Sequence, residues 1–383
     1  KVVVPGITVG TTGPSRNSAL ALHNDNSLGS RSVPMLLIDN TSIAAADSMI
    51  FAAVVTRATV SREDTRVGEA VPVDEAGLSA GAAGSHEHLI PQKGRSRPKD
   101  GLVNASSNEE MGNGQRAFSA LARLPDDEID LARTAMLIAV AEYPLLDVDG
   151  ELAVLDSLAS AASRRVGAER EPLHALNTLS EYLFDEVGFR GNREDYYDPR
   201  NSLLNDVLSR RLGIPITLSL VYVEVGKRLG VPLAGVGMPG HFLVKHQAID
   251  DLYVDPFNGG VLLSESECAR RLQEVTGDGL RWDSGYLAPV NNLEFIVRMM
   301  RNLKATYVRQ QDYTRALRMI NWLMALQPEV ALERRDRGLI HYEMSNYGDA
   351  LDDLRAYLES ASAGADVAAV QEIVGRLRRF IED

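Results

Sequence analysis

The stretch that decides the fold is Gly213-Ile214-Pro215-Ile216-Thr217-Leu218-Ser219, which continues as a predicted helix up to Gly230. Proline is typical of the first position of a helix, and glycine of the position just after its end. Three short β signals follow at 233–236, 242–246 and 252–254, separated by turn residues. A helix followed by a small antiparallel sheet predicts an α+β unit.

Two side chains of this unit have the chemistry of a catalytic pair. His241 lies at the start of the second β signal, and Asp255 follows the third. The two residues can therefore be neighbours across an antiparallel pair of strands. A carboxylate beside an imidazole fixes the tautomer of the ring and raises its basicity, as in a catalytic triad. The start of the Pro215 helix would supply the dipole that a nucleophile or an oxyanion needs.

The segments on both sides of this unit are predicted to be helical. Apolar residues recur at steps of three and four residues between about 129 and 187, which indicates a helical N-domain over 116–190. The α+β core follows over 191–290. In the last part, 291–383, the pattern Tyr-x-x-Ala-Leu at Tyr313 returns at Tyr347. A period of about 34 residues is the signature of tetratricopeptide repeats, which predicts a groove for a protein or peptide partner.

Residues 1–110 differ in composition from the rest of the chain. Of the 22 aromatic residues only Phe51 lies before residue 111, and no sustained helical or alternating period occurs there. Because large apolar side chains are needed to offset the entropy of ordering, we expect residues 1–110 to be a disordered leader or non-native upstream sequence. A small N-terminal domain is the alternative.

Composition and charge exclude several classes of function. The 383 residues carry a net charge of -13, which argues against a nucleic-acid surface, and no apolar run is long enough for a membrane span. The single cysteine, Cys268, excludes a disulfide framework and a four-cysteine zinc site, and it fits a reducing, cytoplasmic compartment. No phosphate loop or metal motif is present, so we expect neither a cofactor nor a metal.

From Arg116 onward the chain resembles the SirB family of bacterial transglutaminase-like proteins with a tetratricopeptide tail. The resemblance rests on four matching runs: Tyr197-Asp198-Pro199-Arg200-Asn201-Ser202-x-Leu204-Asn205, Arg210-Arg211-Leu212-Gly213-Ile214-Pro215-Ile216, Pro239-Gly240-His241-Phe242-Leu243-Val244 and Asp255-Pro256-Phe257-Asn258-Gly259-Gly260. It implies a papain-type α+β core that uses Cys, His and Asp. His241 and Asp255 match two of these positions, whereas the position of the cysteine falls at or beside Pro215.

The resemblance therefore implies a transglutaminase-like core that has lost its nucleophile, because proline has no side-chain group able to attack an acyl carbon. We expect a non-catalytic regulatory or protein-interaction module whose cleft is lined by Asn201, Asn205 and Pro215. The alternative is a hydrolase or acyltransferase in which His241 and Asp255 activate a water or the hydroxyl of Thr217 or Ser219. Against that alternative, Thr217 can cap the helix and Ser219 can fill a small gap.

Overall fold

A computed structural model of the chain describes residues 114–166, 171–361 and 365–382. The predicted leader, 1–110, lies outside these ranges. Residues 114–121 are helical, and the helices before the C-terminal part are α1 (Leu131–Val140), α2 (Val148–Val166), α3 (Pro172–Ser180), α4 (Leu204–Arg210), α5 (Pro215–Leu229) and α6 (Glu265–Thr276). The C-terminal helices are α7 (Asn292–Arg309), α8 (Tyr313–Leu326), α9 (Ala331–Glu343), α10 (Tyr347–Ser360) and α11 (Ala365–Glu382). The strands are β1 (Arg190–Gly191), β2 (Leu212–Gly213), β3 (Leu233–Val236), β4 (Leu243–His246), β5 (Tyr253–Asp255) and β6 (Val261–Leu263).

The α+β core is built on α5, which is buried on all sides from Pro215 to Gly226. It packs between α2 and an antiparallel sheet of order β3-β4-β5-β6. Helix α5 starts at Pro215 and ends at Gly230 in the left-handed conformation (φ 71°), so the two helix signals in the sequence are correct. The α+β fold class is confirmed.

Three local features differ from what the sequence predicts. The spacing of Leu204, Val207, Leu208 and Leu212 predicts a helix that continues to Leu212. Helix α4 ends at Arg210 instead, because Arg211 is left-handed (φ 58°) and Leu212–Gly213 pairs in parallel with Arg190–Gly191. The acidic residues at 126–128, which are typical of a helix N-terminus, form a separate 3₁₀ turn, and Asp130 caps α1. Strand β6 was not foreseen, since its three residues show too short a pattern.

The C-terminal part consists of two helical pairs, α7–α8 and α9–α10, followed by α11, which packs on α10. Tyr313 and Tyr347 each begin the second helix of a pair, as the repeat period predicts. The first helix of each pair contributes to a buried charge cluster: Lys304 Nζ of α7 donates to Glu333 Oε2 and Asp336 Oδ2 of α9, both at 2.9 Å. Across 114–166, 171–361 and 365–382, no helix combines the length and the hydropathy that crossing a membrane requires.

Candidate functional site

The structure brings His241 and Asp255 together. His241 lies in the turn before β4, where Gly240 has a positive φ of 73°, and Asp255 is the last residue of β5. Because β4 and β5 are antiparallel neighbours, the imidazole Nε2 lies 2.9 Å from Asp255 Oδ1. His241 is 5% exposed and Asp255 is completely buried. The pair is therefore shielded from bulk water, which strengthens the interaction between the two groups.

Asp255 is held in its charged form by its neighbours. Its carboxylate also accepts hydrogen bonds from the backbone N–H of Asn258 at 3.2 Å and from Asn258 Nδ2 at 2.6 Å. Arg271 Nη2 lies 3.8 Å from Asp255 Oδ2. Burial by itself would raise the pKa of Asp255. The hydrogen bond and charge of His241, the hydrogen bond from Asn258 and the charge of Arg271 outweigh burial, so the pKa of Asp255 lies below its ordinary value. An ionised Asp255 favours the His241 tautomer with the proton on Nε2.

Aromatic rings form one wall beside His241. The ring of Phe257 meets His241 edge-on, with centroids 6.1 Å apart, and Tyr196 meets Phe257 in the same way at 6.0 Å. A Cβ on Gly191 would lie 2.5 Å from the Phe257 ring, so glycine is required there for the ring to reach its place. Among the residues with a described placement, Nδ1 of His241 has no hydrogen-bond partner. Nδ1 is thus the nitrogen that could act on a ligand.

The start of α5 carries the remaining candidates, Pro215, Thr217 and Ser219. Pro215 is buried at the first helical position. Ser219 Oγ lies 3.4 Å from the carbonyl oxygen of Phe242, the residue after His241. Residues four apart lie on one face of a helix, so Pro215 is on the face of Ser219, about 6 Å away along the helix axis.

The two candidate hydroxyls bond to the backbone instead of to the ring of His241. Thr217 Oγ1 accepts from Ile214 N at 3.1 Å and donates to the carbonyl of Asn201 at 2.7 Å. Ser219 Oγ donates to Phe242 O. Both side chains are completely buried. Thr217 therefore caps α5 and ties it to the 192–201 loop, and Ser219 joins α5 to the turn of His241.

The other predicted residues have structural partners or lie apart from the pair. Asn201 is completely buried, and its Nδ2 donates to the carbonyl of Asp195 at 2.7 Å, which orders the 192–201 loop. Asn205 is buried on α4, and its Oδ1 has no partner within the described part of the chain. Cys268 is completely buried in a second apolar cluster with Met238 and Leu243, where burial raises the pKa of its thiol to about 12.

Sequence reasoning missed Arg298, on α7, whose guanidinium bonds to the turn that carries His241. The available signal was a lone arginine inside the apolar run Phe295-Ile296-Val297-Arg298-Met299-Met300, because a charge in such a run needs buried partners. The turn itself, however, is distant from Arg298 along the chain, so the sequence did not identify that partner. As for metals, the described ranges contain no group of three or more His, Cys, Asp or Glu that could hold an ion.

Comparison with known proteins gives two family matches. Residues 151–301 match the transglutaminase-like superfamily, and residues 303–375 match the tetratricopeptide repeat. No solved structure matches the chain.

Similar proteins occur in bacteria and in mammals. The UPF0162 protein of Xylella fastidiosa is 38% identical over 250 residues, which cover 63% of this chain and 88% of that protein. The UPF0162 protein of Vibrio cholerae is 29% identical over 235 residues, 61% of this chain and 87% of that protein. F-box only protein 21 of Homo sapiens is 32% identical over 167 residues, 40% of this chain and 26% of that protein. The chain thus belongs to the UPF0162 protein family and joins a transglutaminase-like domain to tetratricopeptide repeats.

Proposed function

We propose that the protein is a non-catalytic regulatory or protein-interaction module that keeps the His–Asp pair of a transglutaminase-like cleft without its thiol. The observation that carries this proposal is Pro215 at the first position of α5, the position at or beside which the SirB resemblance puts the nucleophile. The lone pair of a tertiary amide nitrogen is delocalised into its carbonyl group, and the aliphatic ring carries no nucleophilic atom, so neither can begin acyl transfer.

The remaining thiol does not replace the missing one. Cys268 is the single cysteine of the sequence, and its side chain is completely buried. Burial, with the charges of Asp255 and Asp251, raises the pKa of the thiol to about 12. Since the thiolate is the reactive form, this cysteine is inert at neutral pH.

The repeats support the interaction part of the proposal. Tetratricopeptide repeats generally mediate protein–protein interactions, and here two repeats are capped by α11. We infer a protein or peptide partner that binds through this region, in the cytoplasm, as the single cysteine favours. We also propose that the chain belongs to the SirB family, which its four matching sequence runs resemble.

A second candidate function has one observation in its favour. The His241 ring is oriented by an ionised Asp255 and has Nδ1 without a described partner, so a water activated by His241 could attack an acyl group. The versions of this hypothesis that use Thr217 or Ser219 have weaker support, because both hydroxyls are bonded to backbone carbonyls.

Turnover of peptide amides separates the two functions. The purified full chain and the His241→Ala variant are incubated with a library of glutamine-containing peptides, and released ammonia and cleaved peptides are measured. The proposal predicts no turnover that depends on His241. Turnover by the wild type that disappears in His241→Ala would establish the hydrolase instead.

Peptide binding tests the other half of the proposal. A displayed peptide library is selected on the immobilised full chain, and the enriched peptides are measured against the wild type and His241→Ala. We expect a family of related peptides that bind both proteins equally and remain chemically unchanged. Failure to enrich any related set of sequences would count against an interaction module.

A further inference from the structure

Arg298, on α7, binds three carbonyl groups of the turn that carries His241. Its Nη1 donates to the carbonyl of Gly237 at 2.6 Å, and its Nη2 donates to those of Met238 at 2.7 Å and His241 at 2.9 Å. The guanidinium is thus the common partner of both ends of the 237–241 turn. Burial lowers the pKa of Arg298 to about 10, so the group is still charged at neutral pH.

This turn depends on outside partners for its shape. Gly240 has a φ of 73°, which other residues rarely adopt, and inside the turn the N–H of His241 reaches Met238 O at 3.2 Å. The next residue, Phe242, is held by the same helix: its ring lies 4.6 Å from that of Phe295, and Arg298 lies 5.4 Å from the Phe242 centroid. Phe295 and Arg298, one helical turn apart on α7, therefore hold the chain both before and after His241.

The far end of α7 contacts Tyr197, next to the aromatic wall beside His241. Gln310, which caps the helix, donates from Nε2 to the carbonyl of Tyr197 at 3.1 Å, and Arg309 lies 4.0 Å from the Tyr197 ring centroid. Tyr197 neighbours Tyr196, which packs on Phe257 in the aromatic wall. An α-helix of 18 residues is about 27 Å long, so α7 connects the 237–241 turn with Tyr197 through one continuous helix.

We propose that Arg298 is the positioning residue for His241, through which α7 sets the geometry of the His241–Asp255 pair. A guanidinium suits this role because its planar fork can reach several acceptors at once, whereas an ammonium on a flexible stem is a point donor. Arg298 would position the His241 imidazole in the same way whether the protein only binds a ligand or converts it.

Nuclear magnetic resonance of the full chain, labelled with ¹⁵N in histidine side chains, tests the proposal. In the wild type the Nε2–H of His241, bonded to Asp255, should give a downfield proton resonance protected from solvent exchange, assigned by its absence in His241→Ala. In Arg298→Met we expect this resonance to be lost. In Arg298→Lys we expect it to persist with faster exchange, since lysine can satisfy fewer of the three carbonyls.

A matched control separates positioning from a general loss of stability. Arg337 on α9 is another partly buried arginine, with two hydrogen bonds of 2.7 Å to Asp353, and it does not touch the 237–241 turn. Arg337→Met should therefore leave the His241 resonance as in the wild type. A His241 resonance unchanged in Arg298→Met, or disturbed equally in Arg337→Met, would overturn the proposal. If Arg298→Met does not fold, Arg298→Lys tests the proposal. Solvent exchange of the His241 Nε2 proton that is as slow in Arg298→Lys as in the wild type would refute the positioning role of Arg298.

Discussion

Replacing Asp255 with asparagine tests how much the buried His–Asp pair contributes to stability. The carboxylate accepts three hydrogen bonds, from His241 Nε2, Asn258 N and Asn258 Nδ2. In asparagine an NH₂ group replaces one of the two carboxylate oxygens. This NH₂ group then faces a hydrogen-bond donor, which loses its acceptor. Hydrogen bonds to charged groups contribute about 1.5–3 kcal/mol each, and an unsatisfied buried donor costs about 1–3 kcal/mol. On this basis we expect Asp255→Asn to lower the free energy of unfolding by about 2–3 kcal/mol at pH 7.

The same substitution has a defined pH dependence. The pKa of Asp255 is lowered in the folded state, so its ionised form contributes stability above the unfolded carboxyl pKa of about 3.9. That contribution is lost as the pH falls through the lower pKa of the folded state. The difference between wild type and Asp255→Asn should therefore be constant at neutral pH and shrink progressively below about pH 4.

Urea unfolding followed by tryptophan fluorescence measures this difference. Trp282 packs against the second apolar cluster of the core, and Trp322 lies in the repeats, so a Trp322→Phe background reports on the core alone. Asp250→Asn is the matched control, because the Asp250 side chain is fully exposed. A change at pH 7 no larger than the about 0.5 kcal/mol that is usual for surface substitutions would refute the reasoning. A difference that persists in acid would refute it as well.

Two further substitutions test the buried charge cluster between α7 and α9 and the packing beside His241. Glu333→Gln leaves Arg301 and Lys304 without a full counter-charge in the buried cluster, so we expect the free energy of unfolding to fall by about 3–5 kcal/mol. Urea unfolding with Trp322 as the reporter measures this change, and a fall below about 1 kcal/mol would show that the cluster is solvated. Gly191→Ala places a Cβ 2.5 Å from the Phe257 ring, which should cost about 1–3 kcal/mol and shift the ring resonances of His241. Gly188→Ala is the control. Its new Cβ has no atom within 4 Å, but φ is 87° there, so this variant measures the cost of backbone strain without a steric clash.

Local signals in the sequence were sufficient for much of the fold. Pro215 and Gly230 mark the ends of α5 because helix termini have strict backbone requirements, and the recurring Tyr-x-x-Ala-Leu pattern marks the repeats because each repeat must bury the same face. The pairing of His241 with Asp255 could also be expected, since the start of one strand lies beside the end of the next in an antiparallel pair.

Contacts between distant segments could not be read from the sequence. Asp126, expected to start the nearest helix, accepts instead from the backbone of Asn292 and Leu293 at the start of α7. Likewise, Arg298 meets the His241 turn only because the fold brings α7 against that turn. Thr217 and Ser219 stayed candidate nucleophiles beside their favoured roles in capping and packing, because the sequence does not show which carbonyl oxygen each hydroxyl meets.

The most direct test of the missing nucleophile is to supply one. Wild type, Pro215→Cys and Pro215→Cys with His241→Ala are incubated with an activated acyl ester, and their intact masses are measured. Acylation of a thiol joins Sγ to the acyl carbon and breaks the bond between that carbon and the ester oxygen; His241 takes the thiol proton and returns it to the departing oxygen, which leaves as the alcohol. We predict one acyl group on Pro215→Cys, absent from the double variant, and no His241-dependent adduct on the wild type. A wild-type adduct on Thr217 or Ser219 that disappears in His241→Ala would contradict the account.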